Sequence, residues 1–265
     1  MNIEKNEIMR KKLLVKPNLQ EAKEKLDANH IDPDSWYNYA MAVADSKGVE
    51  DTIDIFSEGL FYHPFSEMLH FGRGRKYIST KRYWRAISDF TMAIRLDPEI
   101  YCFWYYRAVS NNLNGNYRAA IADFERAMEQ TEPRERYCII DWIFTCYVEL
   151  GEIDNAKKFL DTMDCNIVPP QMDYSYRRRV MLYKGLIKPE DFINMDDIKS
   201  NCVEQDNRVN LELATLTFGL YIYYIYKNDQ ENADKALLKL MDNMITGAFG
   251  CIKGEVAARK RGLIK

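Results

Sequence analysis

His70–Pro98 reads HFGRGRKYISTKRYWRAISDFTMAIRLDP, and Trp104–Pro133 reads WYYRAVSNNLNGNYRAAIADFERAMEQTEP. Shifting the first by 34 residues lays it on the second. Trp36, His70 and Trp104 fall in line, as do Ala40, Gly74 and Ala108, then Phe56, Phe90 and Phe124. Thr52, Ala86 and Ala120 also align, as do Gly59, Ala93 and Ala127, while Pro64 matches Pro98. Many independent positions holding one period mark a repeat architecture.

Each repeat resolves into two helices. Trp104, Arg107, Ala108 and Asn111 recur at i, i+3, i+4 and i+7, one face of a helix. Asn114-Gly115-Asn116 supplies the turn, because Gly and Asn tolerate the backbone angles that end a helix. Ala120, Phe124 and Ala127 then form the stripe of a second helix facing the first. Small residues at Ala108 and Ala120 allow close approach, Phe124 fills the adjoining gap, and Pro98 and Pro133 stop the second helices.

This pattern resembles the tetratricopeptide repeat, a family of antiparallel helix pairs. Trp104, Ala108, Gly115, Tyr117, Ala120, Phe124 and Ala127 stand at its signature positions. In the preceding unit Gly74, Tyr77, Tyr83, Ala86, Phe90, Ala93 and Pro98 do so. The resemblance implies an all-α fold, a right-handed α-solenoid running as one domain over 1–265. Four units are expected at 33–66, 67–100, 101–134 and, after a two-residue slip, 137–170. A helix capped by Asn18 shields the first unit over 18–32. Residues 171–247 read as degenerate helical units with a polar joint near 196–210, and 248–265 as a terminal capping helix in which the glycines of GAFGCIKGE mark a bend.

Repeats within one chain also permit an internal comparison. Arg73 and Asp89 are 16 residues apart, and so are Arg107 and Asp123. The equivalent pairs in the flanking units are Tyr39 with Ile55 and Ile143 with Phe159, so both charges are present or both absent. We expect each Arg on a first helix to meet the Asp on its second helix in a part-buried bidentate bridge.

The search for chemistry returns little. A formal net charge of −3, with 47% hydrophobic and 29% charged residues, describes an ordinary globular chain without general affinity for nucleic acid. His30, His63 and His70 form no ligand set, GRGR at 72–75 lacks the strand–loop–helix setting of a phosphate cradle, and the six cysteines match no zinc module, so neither metal nor cofactor is expected. The cysteines read as small buried hydrophobes of a reducing compartment, and the expected location is cytoplasmic. No signal-peptide pattern opens the sequence, and Leu213–Tyr226, the longest apolar run, is about five residues short of a membrane span. Basic residues cluster between Arg73 and Arg85 and at Arg177-Arg178-Arg179, where a solvated face is the default reading.

Stacked helix pairs leave their first helices lining a concave wall. By resemblance, residues five and nine into each unit face it: Tyr37, Met41, Phe71, Arg75, Tyr105, Val109, Asp141 and Thr145, with Asn112 and Glu149 extending the wall. The Lys and Asn residues that some family members use to clamp a terminal carboxylate are not at these positions. The expected function is therefore a non-catalytic adaptor that binds a protein or peptide through apolar anchors. Two further readings are a self-associating scaffold, with 211–226 as the intersubunit surface of a homo-oligomer, and an RNA-binding or regulatory protein using the basic clusters.

Overall fold

The computed structural model describes residues 3–44, 46–170, 173–201, 206–245 and 248–265, and all regular structure among them is helical. The chain divides into two compact units, Met1–Thr131 and Glu132–Lys265. A single run was expected from the sequence. The division falls where the 34-residue register slips by two, at the short 3-10 turn Pro133–Glu135.

The first unit comprises α1 (Ile3–Leu14), α2 (Leu19–Ala28), α3 (Pro33–Ala44), α4 (Val49–Tyr62), α5 (Glu67–Ser79), α6 (Tyr83–Leu96), α7 (Tyr101–Leu113) and α8 (Tyr117–Glu129). Helices α3 to α8 pair in sequence as α3/α4, α5/α6 and α7/α8. Ala40, Ala86, Ala93, Ala108, Ala120 and Ala127 are fully buried with Phe56, Phe90 and Phe124, so small and aromatic residues interlock in every layer. At Gly74 the tolerance is tighter still, since an added Cβ would lie 2.8 Å from the Phe90 ring. One contact repeats at the head of each pair. Trp36 Nε1 donates to His30 O at 3.0 Å and Trp104 Nε1 to Pro98 O at 2.9 Å, while His70 Nε2 lies 3.0 Å from Pro64 O. The aligned residue thus ties its helix to the carbonyl six positions back.

Asn18 caps α2, its Oδ1 accepting from the backbone N–H of Gln20 and Glu21. Helix α1 precedes it, a helix for which the sequence offered no reading. The turn between α7 and α8 uses Gly115 at φ 83°, and the equivalent turn between α5 and α6 puts Lys81 at φ 59°.

The second unit comprises α9 (Tyr137–Glu149), α10 (Ile153–Asp161), α11 (Tyr174–Tyr183), α12 (Pro189–Phe192), α13 (Met195–Asn201), α14 (Asp206–Tyr226), α15 (Gln230–Asp242) and α16 (Phe249–Lys260). Its long helix α14 packs against α9, α11, α15 and α16, which buries Ala214, Leu216, Phe218 and Ile222. The apolar face considered for self-association is consumed in this way. Two expectations are corrected. The polar stretch 196–210 is helical at both ends, because Asn194 Oδ1 accepts from the N–H groups of Asp196 and Asp197 and so starts α13; residues 202–205 and the Cys202 among them lie outside the described residues. Nor do Gly250 and Gly254 bend the chain: both lie inside α16, where a Cβ on Gly254 would meet Leu240 Cδ2 at 2.4 Å.

Candidate binding face and buried charge clusters

In the first unit the Arg–Asp pairs close bidentately. Arg73 Nε and Nη2 donate to Asp89 at 2.9 and 2.8 Å, and Arg107 makes the same two bonds to Asp123 at 2.9 and 2.6 Å. Each guanidinium also reaches one layer back, Arg73 Nη1 to Ser57 Oγ and Arg107 Nη1 to Thr91 Oγ1, both at 3.2 Å. Ser57 and Thr91 are again 34 residues apart, a member of the constellation that the paired charges alone did not suggest. His70 Nδ1 lies 3.1 Å from Asp89 Oδ1, and Asn111 Nδ2 donates to Asp123 Oδ2. The Asp side chains are almost wholly covered, whereas Arg73 and Arg107 keep about a fifth of their surface.

The expected wall residues separate by depth. Met41, Arg75 and Tyr105 remain part-exposed on α3, α5 and α7. Tyr37, Phe71, Val109 and Asn112 are buried: Phe71 packs against Phe90, Phe103 and Tyr106, so these side chains support the wall rather than surface it. Arg75 lies over the Phe71 and Tyr106 rings at 5.7 and 5.3 Å, and no carboxylate among the described residues pairs with it. Burial pushes the Tyr37 phenol up to about 12, against the pull of Arg75.

Helix α1 lies against this side of the unit. Lys12 pairs with Asp34 and sits 5.7 Å from the Tyr37 ring centre. Lys5 lies 2.9 Å from Asp97 and 2.8 Å from Glu99, and Arg10 stands over the Tyr101 ring. Asn6 Nδ2 donates to Glu99 O, while its Oδ1 accepts from Tyr101 N at 2.9 Å.

The second unit places Asp141, Thr145 and Glu149 at i, i+4 and i+8 on α9, and this stripe faces inward. Asp141 and Thr145 are fully buried. Asp141 Oδ1 lies 2.9 Å from Arg179 Nε and accepts from Tyr183 Oη at 3.1 Å. Glu149 meets Lys253 of α16 at 3.6 Å. Neither Asp141 nor Thr145 therefore lines an open groove: α11 brings Arg179 onto the face that the repeat would leave free. Burial pushes the Asp141 carboxyl up to about 6, with Arg179 and the Tyr183 hydrogen bond acting in the opposite direction. Arg179 lies 5.1 Å from the Phe218 ring centre, and Gly219 makes room for its stem, a Cβ there falling 2.6 Å from Arg179 Cγ.

The remaining basic residues are likewise engaged. Arg177 donates to Cys165 O, Arg178 to Phe192 O and Asp191 O, and Arg82 to Glu50. Arginines spent on carbonyls and carboxylates do not form a phosphate-binding surface. Among the described residues no group of three His, Cys, Asp or Glu is placed to hold a metal ion, and no helix is long and apolar enough to cross a membrane.

No protein-family profile matches the chain. Human serine/threonine-protein phosphatase 5 is 32% identical over 114 residues, which cover 43% of this chain and 22% of that protein, and the rat protein matches to the same extent. The chain thus spans about a fifth of the length of the curated relatives it matches. A tetratricopeptide repeat protein from Parabacteroides merdae superposes with a TM-score of 0.57 at 14% identity, covering 89% of each chain. YrrB, described as a TPR protein with an unusual peptide-binding site, gives a TM-score of 0.48 at 16% identity over 90% of this chain and 97% of its own.

Proposed function

We propose, from the premise that the chain is a tetratricopeptide-repeat protein by fold, that it is a non-catalytic adaptor binding a protein or peptide on the first-helix face of its N-terminal unit. The observation that carries this reading is the row Met41, Arg75 and Tyr105. These are part-exposed side chains of different character, delivered at repeat spacing by three successive first helices and backed by a rigid layer of buried aromatics. Side chains held on packed helices offer a partner a pre-shaped surface, and an aromatic and an Arg are the residue types that most often dominate such contacts. The α9 stripe does not belong to this face, so the binding surface is confined to α3, α5 and α7.

Tyr105→Ala and Arg75→Ala, each introduced into the full chain, are expected to weaken capture of the native partner at least tenfold while leaving the melting temperature nearly unchanged. Capture unaltered by both substitutions removes this face as the binding site. Phe71→Ala is not a suitable probe, since emptying a fully buried aromatic position costs about 3–5 kcal/mol of stability.

A further inference from the structure

Helix α1 presents a face made of Lys5, Asn6, Met9 and Lys12, spaced i, i+1, i+4 and i+7. Asn6 and Met9 are 5% and 4% exposed, whereas Glu7 and Ile8 on the other side face solvent. The whole contact is polar apart from Met9. Its basic ends meet acids on the wall, Lys12 at Asp34 and Lys5 at Asp97 and Glu99. Asn6 supplies what α7 lacks on its own: Ile100 at the N-cap has no side-chain acceptor, and the Asn6 carboxamide takes the Tyr101 N–H instead. Exposed ion pairs contribute about 0–1 kcal/mol each, so this seat is shallow enough to exchange. Only Val15–Asn18 joins α1 to α2, which keeps the helix within reach when it leaves.

We propose that α1 is a built-in occupant of the binding face, and that the external partner is a basic amphipathic helix of the same stamp. Such a helix carries two cationic residues seven apart, an Asn or Gln beside the first and an apolar residue between them, and it takes the place of α1. The inference rests on the binding face proposed above and names its partner class. Charge complementarity selects this occupant: the acids Asp34, Asp97 and Glu99 are set at the distance a two-turn basic helix spans.

The test uses the full chain and a fluorescein-labelled peptide with the sequence of residues 3–14, read by anisotropy. In the wild type the tethered α1 competes at an effective concentration of about a millimolar, so the peptide binds weakly. Lys5→Glu with Lys12→Glu releases the tethered helix, and peptide affinity is expected to rise at least tenfold; Asn6→Ala, a milder change, should raise it in the same direction. Adding Glu99→Lys to the released chain should abolish the gain. Affinity no higher in both released variants, with a lowered melting temperature, overturns the proposal and makes α1 a packing element; the binding face itself survives that result if Tyr105→Ala still weakens partner capture. A tenfold gain alongside capture insensitive to Tyr105→Ala and Arg75→Ala instead removes the preceding reading while α1 remains exchangeable. Wild-type dimers that the released variant loses, seen by light scattering, would assign the seat to a second copy's α1 and overturn the proposal.

Discussion

Both units join arginine to aspartate across packed helices, but they do so at opposite depths. Arg73–Asp89 and Arg107–Asp123 recur at the repeat spacing, keep part of each guanidinium in water, and satisfy both carboxylate oxygens. Arg179–Asp141 occurs once, with the two side chains 1% and 0% exposed, and Arg179 Nη2 and Asp141 Oδ2 have no hydrogen-bond partner among the described residues. The difference teaches where a charge pair supports a fold and where it only keeps a buried charge from being ruinous. Desolvation of two fully buried ions offsets most of their attraction, whereas a half-wet bidentate bridge retains its hydrogen bonds at little desolvation cost.

The largest expected effect probes the deep pair. Asp141→Ala strands Arg179 and should cost about 3–5 kcal/mol in urea unfolding followed by circular dichroism. Asp123→Ala, whose Arg107 can turn to solvent, should cost about 1.5–3 kcal/mol. Equal losses would erase the contrast. Next comes pH. The Asp141 carboxyl is raised from the ordinary 3.8 to about 6, so the folded state holds this proton more tightly than the unfolded chain does. Its contribution is therefore fully present below about pH 4 and is lost as pH rises through about 6, a change of about 1–3 kcal/mol. Subtracting the unfolding profile of Asp141→Asn from that of the wild type should isolate this slope, and parallel profiles would refute it.

Replacing Arg107 with Met together with Asp123→Leu should recover most of the loss seen for Asp123→Ala, leaving a deficit of about 1 kcal/mol. A double variant as unstable as the single one would show that the Thr91 and Asn111 contacts matter more than the pair itself. The smallest effect lies in a turn. Lys81 holds the left-handed conformation that the next unit gives to Gly115, so Lys81→Gly should stabilise by about 0.5–1 kcal/mol. A melting temperature that does not rise would mean that Lys81 compensates through its own contacts.

The same contrast explains what the sequence could disclose. Arg73–Asp89 was legible because Arg107–Asp123 is its copy, and the interlocking of Gly74 with Phe90 followed from Ala108 with Phe124. Single-copy contacts leave no such trace. Arg179 sits in a run of three arginines that reads as solvated, and nothing periodic links it to Asp141 or to Gly219, the position that admits its stem. Asp141, Thr145 and Glu149 were assigned to an open wall by extending the repeat rule past the place where α11 covers the face. The binding row itself was only half readable: repeat position told which side chains point toward the wall, but not that Phe71 and Val109 would sink beneath Arg75 and Tyr105. Helix α1 carried a usable signal, the 5-6-9-12 spacing, though its seat depends on a backbone N–H at Tyr101 that no sequence pattern advertises.

The reach of Arg73 to Ser57 and of Arg107 to Thr91 has a mechanical consequence. Each guanidinium is a rivet through two storeys, so lifting one storey strands ionic groups belonging to the next. Amide protons along α4 to α8 should accordingly exchange at a single shared rate instead of fraying inward from one end. A visitor to this surface meets a stiff plate whose ordering was completed when the chain folded, and its grip loses nothing to disorder.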